Sequence, residues 1–170
     1  MGSKSISSYL TLVLVALALV ESSWGPVISV AGVHPDLVLV AVIGWTVLRG
    51  TAEGLLWAVI GGMCLDLLSS GPFGLAVIPL VLVSLVARLG YSRVFGGQIV
   101  LPLFLAFPLS VIYYLAYTSL LYLWGHPIAW GVNLTHIILP ASALNVGAML
   151  VLFPLLRYLH RRSGPEKMTW

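Results

Sequence analysis

Long apolar runs, each ended by lysine or arginine, constrain this chain more than any single motif it carries. Lys4 precedes the first run, Arg49 separates the second and third, and Arg88 and Arg93 lie between the fourth and fifth. Arg157, Arg161, Arg162 and Lys167 follow the last. With six crossings of a bilayer, all eight basic residues fall on one side. Cytoplasmic segments are enriched in Lys and Arg, so both termini are expected to be cytoplasmic. At about 20 residues per crossing, six crossings use most of the 170 residues. The expectation is an all-α membrane protein, a six-transmembrane-helix bundle forming one domain over residues 1–170, with no soluble catalytic or binding domain.

The charge balance sharpens that expectation. The net charge of +3 comes from the cytoplasmic ends, where it sets topology and favours anionic lipid headgroups. No basic patch is interleaved with aromatic residues, so nucleic-acid binding is not expected. Cys64 is the one cysteine, which excludes a disulfide within the chain; inside an apolar run it reads as a small hydrophobe. Residues 1–24 have a basic start and an apolar stretch, but the small-x-small pattern of a cleavage site is poorly formed near Val20–Trp24. They are read as a retained first helix.

The expected helices run over about 8–24, 35–48, 51–68, 73–89, 98–124 and 132–158, with a flexible cytoplasmic tail over 161–170. Residues 25–33 are apolar but carry Gly25, Pro26 and Gly32, which suits the outer surface. Pro35 and Asp36 open the short second helix, because proline fits a first turn and an acid favours a helix N-terminus. Ser69-Ser70-Gly71-Pro72 breaks the third helix. Pro102 and Pro108 could kink the fifth.

The third helix holds the most specific pattern. Gly50, Gly54, Ala58, Gly62 and Asp66 recur every four residues, forming a stripe that winds slowly round the helix; Gly61 widens it. Small residues let another backbone come close in lipid. The stripe therefore packs either against a helix of the same bundle or against a partner's helix. Asp66 ends it near the outer edge of the hydrocarbon core, where an acid is expensive and faces inward. It either accepts hydrogen bonds from the Ser69–Gly74 turn, recognises a partner, or carries a proton or ion. Arg49 and Glu53 stand four apart at the cytoplasmic junction and can pair if helical, while backbone carbonyls and lipid phosphate are competing contacts for Arg49. His34, His126 and His136 fall at the outer level, but no i,i+4 ligand pair supports a metal site. No nucleophile turn, phosphate loop or acidic cluster for Mg²⁺ is present, so neither catalysis nor a cofactor is expected.

The order of motifs resembles a known family. Pro35-Asp36-Leu37, then Leu48-Arg49-Gly50, Glu53-Gly54, Gly61-Gly62, Leu65-Asp66-Leu67-Leu68 and Gly71-Pro72-Phe73-Gly74-Leu75 look like MreD, the rod shape-determining integral membrane family of bacteria. The diagnostic region covers residues 35–75, and the family more commonly has leucine where Phe73 stands. The resemblance implies a non-enzymatic scaffold of the cell-elongation machinery in the bacterial cytoplasmic membrane. Its implied partners are MreC and, through the assembly, RodA, its penicillin-binding transpeptidase and MreB, with membrane lipid around the bundle and a possible homo-oligomer. The same resemblance implies a fold similar to the substrate-binding components of energy-coupling-factor transporters.

That likeness supplies the alternative, a vitamin-type transporter component. Such components dock their energising module through Ala-x-x-x-Ala on the first helix. Here Ala16 and Ala18 flank Leu17, and Val20 stands four after Ala16, so the docking pattern is missing. A small-molecule site also needs convergent polar groups, and the outer loops offer few.

Overall fold

A computed structural model describes residues 2–24, 32–69, 71–90 and 100–162 of the chain, and these are helical throughout apart from turns. The helices are α1 (Gly2–Trp24), α2 (Leu37–Arg49), α3 (Thr51–Leu68), α4 (Val77–Gly90) and α5 (Val100–Leu123). A last long helix runs as α6 (Trp130–Asn133), a π-helical turn (Leu134–Ile138) and α7 (Leu139–Arg162). Among the described residues, three stretches are long and apolar enough to cross a membrane: Thr51–Leu68, Pro102–Leu123 and Trp130–Arg161. Leu12–Ser23, Leu37–Arg49 and Val77–Arg88 are shorter apolar helices.

Packing is organised around α2, which touches α1, α3, α4, α5 and α7. Every residue from Val38 to Thr46 is buried, as befits a helix that is apolar on all sides. Its 13 residues reach only about 20 Å, less than the roughly 30 Å of a hydrocarbon core. Its ends therefore lie inside protein, and protein groups satisfy them. Asp36 Oδ1 accepts from Leu39 N at 2.9 Å, and Glu21 Oε2 accepts from Val38 N at 2.9 Å. At the other end, Gly50 N donates to the Thr46 carbonyl at 2.8 Å. Gly50 has φ +91°, a value that glycine adopts without a Cβ penalty, and it turns the chain directly into α3.

The fourth helix begins at Val77, not at Phe73. Gly74 has φ +96°, outside helical space, so residues 73–76 form a turn. Arg161 and Arg162 belong to α7 instead of opening the tail, since no glycine or proline stands between Tyr158 and Gly164. The expected outer segment over 25–31, the connection carrying Arg93 and the tail from residue 163 lie outside the described residues. The π-helical turn has a local cause. Pro140 lacks an N–H and its ring crowds the carbonyl four residues back. The chain widens so that Leu139 N bonds to the Leu134 carbonyl, five residues back.

Candidate functional site

Two polar clusters occupy opposite ends of the bundle, and they differ in kind. The first ties α2, α3 and α7 together. The Arg49 guanidinium lies 5.2 Å from the centroid of the Trp45 ring, which stacks on Trp57 at 4.4 Å. Arg49 donates to Glu53 Oε1 at 3.1 Å and to His160 Nδ1 at 3.0 Å, while Trp45 Nε1 donates to Glu53 Oε2 at 2.9 Å. Arg49 and Glu53 therefore do pair at i,i+4. The arginine side chain is 8% exposed and turned into the bundle, where cation–π and hydrogen-bond partners replace water.

The second cluster joins four helices and the turn before α4. Asp66, 3% exposed, accepts from Gly74 N at 2.8 Å through Oδ2 and from Ala76 N at 2.9 Å through Oδ1. Ser69 Oγ donates to the Asp66 carbonyl. The acceptor role expected for Asp66 is present, but its donors reach as far as Ala76. Asp66 thereby fixes the turn that holds Gly71, Pro72 and Gly74. Beside it, Asn145 of α7 is fully buried. Its Oδ1 accepts from Asp36 N at 2.7 Å, and its Nδ2 donates to Ser110 Oγ at 3.1 Å and to the Tyr114 hydroxyl at 3.2 Å. One amide thus connects α2, α5 and α7 using both its acceptor and its donors.

The small residues of α3 meet neighbours of the same chain. A Cβ placed on Gly62 would lie 2.6 Å from Val77 Cα, one on Gly54 2.8 Å from Thr46 Cβ, and one on Gly61 2.7 Å from Val38 Cγ1. Ala58 is fully buried on the same stripe. The neighbours that these positions meet belong to α2, α4 and α1. Backbone approach this close is what small residues provide where no hydrophobic force drives helices together.

Between these elements lies a cavity of about 480 Å³, bordered by Glu21, Asp36, Asp66, Tyr113, Tyr114 and Tyr117 among others. The carboxylic and phenolic groups of this lining do not come from the outer loops. They come instead from helix interiors and a helix cap: Glu21 from α1, Asp36 from the start of α2, and the tyrosines from α5. Glu21 and Asn145 were not singled out, although an ionisable or amide group inside an apolar run is itself a signal. Among the described residues, no three His, Cys, Asp or Glu side chains converge as metal ligands.

Comparison with known proteins gives one result. The family model described as rod shape-determining protein MreD matches residues 3–163. No curated protein and no solved structure matches the chain.

Proposed function

Because the chain belongs to the MreD family of rod shape-determining membrane proteins, we propose that it is a non-enzymatic scaffold of the elongation machinery that binds MreC. Through that contact it helps to localise or regulate peptidoglycan synthesis by RodA and its transpeptidase, in register with MreB. The family match over nearly the whole chain carries this reading. The chemistry of the buried polar groups supports it: Asp36, Asp66 and Asn145 bond backbone amides, which is the work of holding a shape.

The proposed setting is the bacterial cytoplasmic membrane, crossed six times with both termini inside. The short helices α2 and α4 complete the crossings through the turns and caps at their ends. In this orientation the Arg49 cluster is cytoplasmic and the Asp66 cluster is extracytoplasmic, in keeping with the distribution of basic residues. A fold like the substrate-binding components of energy-coupling-factor transporters is part of the same proposal.

The cavity favours a second reading, a small-molecule binding component of a transporter. Both readings are tested in a rod-shaped host depleted of its own copy. On the scaffold reading, expression of this chain restores rods, and MreC co-purifies from native membrane. Round cells together with co-purification of an ATPase-containing module would favour the transporter.

A further inference from the structure

We propose that the cavity between α1, α2, α3 and α5 binds an organic cation bearing an ammonium group. This goes beyond the scaffold reading and stands without it. Space is the first requirement, and about 480 Å³ lies within the range of small-molecule sites, roughly 300–1,000 Å³. The sign of the lining chooses the ligand. Three carboxylic side chains, Glu21, Asp36 and Asp66, border the cavity, and its lining includes neither Lys nor Arg. His34 is the lining residue that can carry positive charge. A phosphate or carboxylate ligand would face three acidic side chains, whereas a cation would be attracted to them; Glu21 and Asp36 also bond each other, and His34 acts on Asp36.

Aromatic rings make the second requirement. Tyr113, Tyr114 and Tyr117 stand on one face of α5 at the cavity. Tyr113 packs edge-on to Tyr114 at 5.2 Å and stacks with Tyr117 at 6.2 Å. Tyrosine faces attract ammonium groups, and aromatic surfaces next to carboxylates recognise substituted ammonium ions. An inorganic divalent ion fits less well, because the described carboxylates do not converge as a ligand set.

A third observation is independent of charge. The π-helical turn Leu134–Ile138 contributes Ile137 and Ile138 to the cavity wall, with Asn133 just before it. π-turns occur often at functional sites, and here the widened turn borders the space.

An ammonium ligand could arrive as a free amine or as the headgroup of phosphatidylethanolamine. The experiment is calorimetric titration of the full chain in detergent with choline and ethanolamine, with acetate and Mg²⁺ as comparison ions. In parallel, the chain is placed in lipid nanodiscs of phosphatidylethanolamine or phosphatidylglycerol and its thermal stability compared. The expected result is saturable binding of at least one amine, or stabilisation by phosphatidylethanolamine over phosphatidylglycerol; the arm that responds identifies the source. Glu21→Gln with Asp36→Asn retains an acceptor for Val38 N and Leu39 N and removes the charge, so it should weaken binding about tenfold or more. Should that variant fail to fold, Tyr117→Leu, at a half-buried position, should weaken amine binding in a folded chain. No response in either arm, equal binding of acetate, displacement by Mg²⁺, or full affinity in the folded variants would overturn the proposal.

Discussion

Asp66 shows how one buried side chain holds a turn. Both of its oxygens are occupied by backbone amides, Gly74 N and Ala76 N. Asp66→Asn keeps one carbonyl acceptor and the shape, so the folded state should survive with a modest loss. Asp66→Leu leaves the buried Ala76 N–H without an acceptor, at about 1–3 kcal/mol, and the half-buried Gly74 N–H at less. Thermal unfolding of both variants in one detergent should therefore rank wild type above Asn and Asn well above Leu. Asn145→Leu should be at least as damaging, because it strips the acceptor from Asp36 N and the donor from Ser110 and Tyr114. Asp66 was legible in the sequence since an acid beside a Gly-Pro turn inside an apolar run must find donors. Asn145 was not, because its partners Asp36 and Ser110 are 109 and 35 residues away and no local pattern names them.

At the level of helices, close approach and helix ends decide the structure. Gly62 sits against the backbone of Val77, whereas nothing lies within 4 Å of a Cβ built at Gly147. Gly62→Ala should thus push α3 and α4 apart and lower thermal stability. Gly147→Ala should be neutral or slightly stabilising, since alanine favours a helix by about 1 kcal/mol over glycine. Measured side by side, the two substitutions separate contact from propensity. A stable Gly62→Ala with normal assembly would mean the seam is not closely packed. The stripe itself could be read from its spacing. Which helices fill it could not, because α1, α2 and α4 are all apolar and offer no distinguishing pattern. The centrality of α2 was hidden for the same reason: a short run of apolar residues looks alike whether it faces lipid or protein. The start of the fourth helix was missed because Phe73, Leu75 and Ala76 suit a helix in composition, while Gly74 takes a backbone conformation that no helix contains.

Across the whole molecule, the two ends of the bundle are chemically unlike. One end carries Arg49 and His160 with stacked tryptophans, and the other carries Glu21, Asp36 and Asp66 around a cavity. In the proposed orientation, a reporter fused after Ser163 reads cytoplasmic and one near Gly125 reads extracytoplasmic; the reverse at Gly125 would remove the six-crossing topology. The family was legible from residues 35–75, whose motifs carry the caps of α2, the seam of α3 and the Asp66 turn. Of those residues Asp36, Gly54, Ala58, Gly61, Gly62 and Asp66 are buried, while Leu67, Leu68 and Phe73 are exposed. The central claim, that this bundle acts by holding MreC, is tested most directly by reconstituting the purified chain with purified MreC in lipid nanodiscs, without nucleotide or other proteins, and measuring the mass of the assembled particles. The account predicts a defined joint assembly that persists on dilution and is lost in folded variants with altered outer faces; particles that hold either protein alone, at concentrations where both are folded, would contradict it.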